Sequence, residues 1–210
     1  MKNAKRFLIL IVCGILLIPV FNSCKVGDED AGFTFYTRKY RLCQDWSFSY
    51  YKHVVQHNDT IISQEYDGSS YIHIFGTQKF ISNATMTISF KKNGTYNWEE
   101  HISNDTSVYT YKETGYWYFT GGGKDSDTKF KELLALQKTS HTKTIQIEGQ
   151  SPVTDNYSAS GNLETRVFRL IKLSIDEVKM ESKVEQQYIE GTNTVLDGEI
   201  TIINLAMGAQ

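Results

Sequence analysis

Proline is almost missing from this chain: Pro19 and Pro152 are the only two in 210 residues. A backbone so short of ring-locked residues keeps an N–H at nearly every position, so central β-strands can retain their ladder donors. Long apolar runs are missing too. The uncharged, mostly apolar stretch from Phe7 to Phe21 would reach only about 22 Å as a helix, short of the roughly 30 Å of hydrocarbon that a stable span must cross. Motifs of catalysis are absent or broken. There is no Gly-x-Ser-x-Gly elbow, and the phosphate-loop reading of Gly121 to Lys124 fails because Asp125 stands where Ser or Thr is required and Tyr118 where the first glycine belongs. The five histidines show no ligand spacing. His53 and His57 lie roughly 13 Å apart on a strand, too far for one metal, and Glu99 and Glu100 beside His101 form no recognisable ligand set. No catalytic residue, metal ligand or cofactor is therefore assigned, and a non-enzymatic role is expected.

What is present begins with Lys2, Lys5 and Arg6, the apolar stretch, then Asn22, Ser23 and Cys24. That order is a secretion signal, expected to be removed as residues 1–23. Ser23 and Cys24 resemble the end of a bacterial lipoprotein signal, which implies acylation of Cys24 and a membrane partner through the attached lipid. Residues 24–32 then form a polar tether. Its acidic run Asp28, Glu29 and Asp30 resembles the export tag of Bacteroidota surface lipoproteins, which implies lipid anchoring on the outer membrane and display at the cell surface. Removing Lys2, Lys5 and Arg6 from 22 basic residues leaves 19 against 24 acidic ones, and the formal charge moves from −2 to −5. Nucleic acid is thereby excluded as an expected partner. Cys13 leaves with the signal and Cys24 carries lipid, so Cys43 has no partner for an intrachain disulfide. Stability must come from packing and strand pairing.

Residues 33–210 are expected to form one domain. From Trp46 onward apolar residues recur at period two, and the choice of residues is rich in Tyr, Phe, Ile, Val and Thr, which favours strands. Strands are expected through Trp46 to Val55, Thr60 to Tyr66, Ser70 to Phe75, Thr85 to Lys91, Thr95 to Ile102, Val108 to Tyr111 and Gly115 to Thr120. Others follow through Lys143 to Glu148, Arg166 to Leu173, Val178 to Tyr188 and Glu199 to Leu205, with Gly149 to Gly161 as a long loop. Many short strands with frequent turns indicate a sandwich or barrel. Around Asn93 and Gly94, a three-residue loop with left-handed Gly94 sets Phe90 opposite Tyr96 and Ile88 opposite Trp98, keeping one face apolar. Lys129 to Gln137 fits either a helix or a strand, and Ser174 with Glu177 suggests a single turn. Four Asn-x-Thr triplets, at Asn58, Asn83, Asn93 and Asn104, read as turn chemistry.

Trp46, the Phe90 to Tyr96 hairpin, the Gly115-Tyr116-Trp117 strand and the late strand and turn from Phe168 to Val178 together resemble the lipocalin-like lipoprotein family of Bacteroidota. The resemblance implies an all-β, antiparallel lipocalin-like β-barrel of about eight strands. Such a barrel can hold one small ligand. Met86, Ile88, Phe90, Tyr96, Trp98 and Trp117 are the candidates for its interior, where they form either a filled core or a ligand cavity. The tyrosines at 109, 111, 116 and 118 serve strand packing or stacking on a sugar. Binding of a small apolar or amphipathic ligand is the expected function. The alternatives are an accessory or scaffold subunit of an outer-membrane protein assembly, and a surface glycan-binding module.

Overall fold

The computed structural model describes residues 36–57, 60–121, 132–160, 163–190 and 193–208. Cys24, the signal, the tether and the glycine run from Gly122 onward lie outside the described residues, as does the first part of the Lys129 to Gln137 segment. Among the described residues there is one helix, α1 (Arg38–Leu42), followed by eleven strands. These are β1 (Asp45–His57), β2 (Thr60–Tyr66), β3 (Ser70–Phe75), β4 (Gln78–Phe90), β5 (Thr95–Ser103) and β6 (Ser107–Thr120). The second half adds β7 (Leu133–Ile147), β8 (Val153–Ser158), β9 (Glu164–Leu173), β10 (Glu177–Glu190) and β11 (Asn193–Met207).

Every strand pairing is antiparallel. The ladder runs β1-β2-β3-β4-β5-β6-β7-β9-β10-β11 and returns to β1, so ten strands close a barrel, and β8 attaches outside the ring to the second half of β7. The all-β barrel expected from period two is thus the observed fold, wider than the expected eight strands.

The extra width is confined to one end. At its start β1 pairs directly with β4, Trp46 opposite Ile88, so the narrow end is a ring of eight. Beyond Ser47 the two strands diverge and the β2–β3 hairpin fills the fork. Its turn is tied by Asp67, whose Oδ1 accepts the N–H groups of Ser69 at 3.0 Å and Ser70 at 2.8 Å. Gly68 has φ +100, and a Cβ there would approach the Ser49 carbonyl oxygen at 3.5 Å. Glycine alone takes that left-handed conformation without strain. The segment between His53 and Phe80 therefore supplies the two added strands.

The narrow end is solid. Trp46, Phe48, Ile88, Phe90, Tyr96, Trp98, Trp117, Leu134, Leu136, Phe168, Leu170, Leu173, Val178, Met180, Ile203 and Leu205 form one buried cluster. Helix α1 closes it from below, placing Leu42 in the cluster. Thr37 caps α1 by accepting the N–H of Tyr40 at 3.1 Å. The Trp46 indole donates to the Leu42 carbonyl at 2.9 Å and the Trp117 indole to the Lys91 carbonyl at 3.1 Å, so both rings are buried with their one donor satisfied. Cys43 packs against the same cluster, half-buried, and burial pushes its thiol up.

The β4–β5 hairpin has the expected register: Phe90 faces Tyr96, Ile88 faces Trp98, and Gly94 has φ +88. Asn93 and Asn104 act as turn residues, their side-chain oxygens accepting the N–H groups of Thr95 and Thr106. Asn83 instead lies within β4, and Asn58 lies outside the described residues. Two expectations are corrected, and a segment open between helix and strand takes one of the two forms. The two segments at Val108 and Gly115 form one strand, β6. The Gly149 to Gly161 loop contains β8. From Leu133 the ambiguous segment is strand, because Leu134 and Leu136 reach the core as part of β7. Ser174 makes a turn as expected, its hydroxyl accepting the Glu177 N–H at 3.0 Å.

Candidate functional site

Above the packed end the barrel encloses a cavity of about 560 Å³, within the range of small-molecule pockets. Its walls come from inward positions of six neighbouring strands. Tyr51 stands on β1, Gln64 on β2, Tyr71 and His73 on β3, Phe80 and Ser82 on β4, Trp98, Glu100 and Ile102 on β5, and Tyr109 and Tyr111 on β6. Lys143 and Ile145 of β7 and Arg166 of β9 close the remaining side. Tyr51 reaches the interior because the register shifts between Phe48 and Tyr50. Below the shift even-numbered residues of β1 point inward, and above it odd-numbered ones do.

The floor is a charged network. Glu113, 1% exposed, accepts the hydroxyls of Tyr96 at 2.6 Å and Tyr111 at 2.5 Å and forms an ion pair with the guanidinium of Arg166. Arg166 also lies over the Trp98 ring, 5.0 Å from its centroid. Burial works against the charge of Arg166, but Glu113 and the neighbouring Tyr96 and Tyr111 hold it protonated. The Nε of Arg166 is buried without a hydrogen-bond acceptor among the described residues.

Next to this neutralised pair stands a second carboxyl, Glu100. It accepts the Trp98 indole N–H at 2.9 Å, and no cation lies within ion-pair distance of it among the described residues. Burial pushes its pKa up to about 7, with the Trp98 bond opposing, the charge of Glu113 adding and that of Arg166 opposing. The hydroxyls of Tyr51, Tyr71 and Tyr109 are pushed up chiefly by burial and next by the Glu100 charge. That of Tyr111 is raised by burial, then by Glu113, with Glu100 also contributing. Glu100 is therefore the electrostatic centre of a ring of tyrosines.

A pH dependence follows. The folded protein holds the Glu100 proton more tightly than the unfolded chain does. The stability from that proton is complete below the ordinary carboxylate range and is lost as the pH rises through about 7. Glu100→Gln keeps a neutral hydrogen-bonding side chain at every pH. The variant is expected to exceed the parent in stability by on the order of 2 kcal/mol near pH 8, with the gap closing below about pH 5. Urea unfolding at the two pH values measures the difference.

Of the six interior candidates from the sequence, Trp98 lines the cavity. Met86, Ile88, Phe90, Tyr96 and Trp117 do not. They are buried in the packed end, below the level at which the β2–β3 hairpin widens the ring. Of the four tyrosines, 109 and 111 line the cavity, whereas Tyr116 and Tyr118 point outward, 51% and 46% exposed. From the sequence Glu100 stands out only as a carboxylate beside His101 with no ligand spacing, and Glu113 and Arg166 do not stand out as site residues, although a signal exists. Glu100 shares the parity of Tyr96 and Trp98, and Arg166 that of Phe168 and Leu170, so each is a charged residue at a core-facing position of its strand.

The barrel wall has a second recess beside the same arginine. Strand β9 pairs with β10 only from Arg169 to Leu173, while β10 runs on beside β11 alone. The seam above it, between Glu164 to Phe168 and Ser182 to Val184, holds a volume of about 690 Å³, and Arg166 lines both spaces. Among the described residues no group of His, Cys, Asp and Glu side chains could hold a metal ion. No family model matches this chain, and no curated protein or solved structure matches it.

Proposed function

We propose that this chain is a non-enzymatic binding protein, a lipocalin-like lipoprotein anchored on the outer membrane through lipid on Cys24 and displayed at the cell surface. It holds one small amphipathic molecule in the wide half of its barrel. The observation that carries the binding function is the cavity itself, set above a packed end with aromatic sides and a charged floor. Its lining alternates rings with hydrogen-bonding groups such as Gln64, Ser82, Ser103 and Asn104. An amphipathic ligand suits that mixture better than a purely apolar one, which would leave Gln64, Ser82 and Ser103 unpaired. Anchoring and location rest on the residues before the barrel, Lys2 to Asp30. In this family reading the lipid supplies the membrane contact and the barrel faces water.

Native mass spectrometry of the protein extracted from its own membranes in mild detergent tests the binding function. The expected result is a monomer carrying acyl chains and one added small mass. The mass should disappear when Ser82→Trp fills the cavity. A parent protein that never carries added mass, and is found only within a larger protein complex, would replace this reading with that of an accessory subunit. Separately, Cys24→Ala is expected to move at least nine-tenths of the protein from the membrane pellet to the soluble fraction, because several acyl chains anchor a protein where none cannot. Fractionation with immunoblotting measures that shift.

A further inference from the structure

The chemistry of the cavity says more about its ligand than that it is amphipathic. Two of its rings already carry cations: the Lys143 ammonium lies 5.8 Å from the centroid of Tyr109, and the Arg166 guanidinium 5.0 Å from that of Trp98. A ring face is a partner for positive charge because of its quadrupole, and the attraction strengthens where water is excluded. Arg166 is matched by Glu113. The charged groups of the lining around Glu100 are Arg166 from β9, Glu113 from β6 beneath it and Lys143 from β7, and its other titratable groups are His73 from β3 and the hydroxyls of Tyr51, Tyr71, Tyr109 and Tyr111. Once Glu113 and Arg166 are paired, Glu100 is the carboxyl left without a salt-bridge partner, and its neighbours are rings. A buried carboxylate in that position gains most from a charge that a ligand brings.

We propose that the cavity selects a small organic cation, an amine or ammonium group on a compact apolar or aromatic body, with Glu100 as its counter-charge and the rings of Tyr51, Tyr71 and Tyr111, which carry no cation of the protein's own among the described residues, around it. This assignment rests on the proposed binding function. The cavity volume of about 560 Å³ limits the body to something of one or two rings. The body lies against Phe80, Ile102 and Ile145 toward the mouth, while the cationic end enters first. Because the cation needs Glu100 ionised, binding near neutral pH releases a proton from the protein.

Three probes of one shape and different charge test the inference: 2-phenylethylamine, 2-phenylethanol and 3-phenylpropionate, titrated calorimetrically into the detergent-solubilised full chain. Near pH 8 the amine is expected to bind at least tenfold more tightly than either isostere. Its advantage should fall at least tenfold in Glu100→Gln and also in the parent near pH 5. Glutamine retains an oxygen for the Trp98 indole, and circular dichroism checks that the variant folds. Tyr71→Leu gives a second reading, a several-fold loss for the amine with little change for the alcohol. Equal or tighter binding of the alcohol or the propionate would overturn the cation assignment and leave the binding cavity standing. Heat from none of the three at millimolar concentration, with tryptophan emission unchanged, would overturn the binding function as well.

Discussion

Adding one methyl group at position 115 is expected to destabilise the barrel by about 3 kcal/mol or more. Gly115 sits on β6 where the register with β7 shifts between Thr114 and Gly115. A Cβ built there would lie 2.1 Å from the Gln137 carbonyl oxygen, 2.9 Å from its carbon and 2.7 Å from the Tyr96 ring. Two of those atoms are backbone held in the β6–β7 ladder, and Tyr96 is fully buried with its hydroxyl on Glu113. Nothing nearby can give way without opening the ladder or moving the charged floor. The cost therefore belongs with overpacking of a rigid core. Gly115→Ala should lower the midpoint of thermal unfolding by roughly 6 to 12 °C at this chain length. Scanning calorimetry measures it, and a midpoint within about 2 °C of the parent would show that β6 and β7 can separate at the bulge. The glycine of the Gly115-Tyr116-Trp117 strand is thus explained by close approach of two strands and a ring.

Arg166→Met is expected to lose about 3 kcal/mol or more, the range found when one partner of a buried ion pair is removed. Glu113 would keep the hydroxyls of Tyr96 and Tyr111 but would remain a buried charge with no opposite one beside it. Methionine retains much of the arginine's volume against Trp98, so lost packing contributes less than the unpaired carboxylate. Glu113→Gln in the same chain removes the stranded charge. The double variant is therefore expected to recover at least half of the loss, and a double-mutant cycle by urea unfolding isolates the coupling. If the double variant is as unstable as the two single losses added together, the pair contributes through packing alone. Because Arg166 lines both the cavity and the recess at the β9–β10 seam, its loss should widen the passage between them.

The architecture could be read from the sequence where one face of a strand is strictly apolar. Met86, Ile88 and Phe90 against Tyr96 and Trp98 allow a single register, since a slip of one residue would turn the set outward. Strand β8 was hidden because Val153 to Ser158 are exposed along their whole length, leaving no alternation to detect. Helix α1 was hidden by its length, since one turn shows no period. The site was less legible for a different reason. Period two identifies inward positions but not height along the barrel, so Phe90 in the packed end and Tyr109 in the cavity look alike. Height depends on where β1 leaves β4, which follows from a register shift at Ser49 and not from any residue's polarity.

The fork between β1 and β4 separates two properties that a uniform cylinder would tie together. In a plain closed barrel, adding strands enlarges the whole circumference, and the core must be refilled from end to end. Here the seam of the foundation is already made by Asp45, Trp46 and Ser47 against Ser89, Ile88 and Thr87. The hairpin from Thr60 to Phe75 acts as a removable gore let into the upper cloth of a funnel. Lengthening or trimming that one insert alters the calibre of the mouth while the base retains its own closure, so variation in what the mouth admits can accumulate without endangering the part that holds the molecule together.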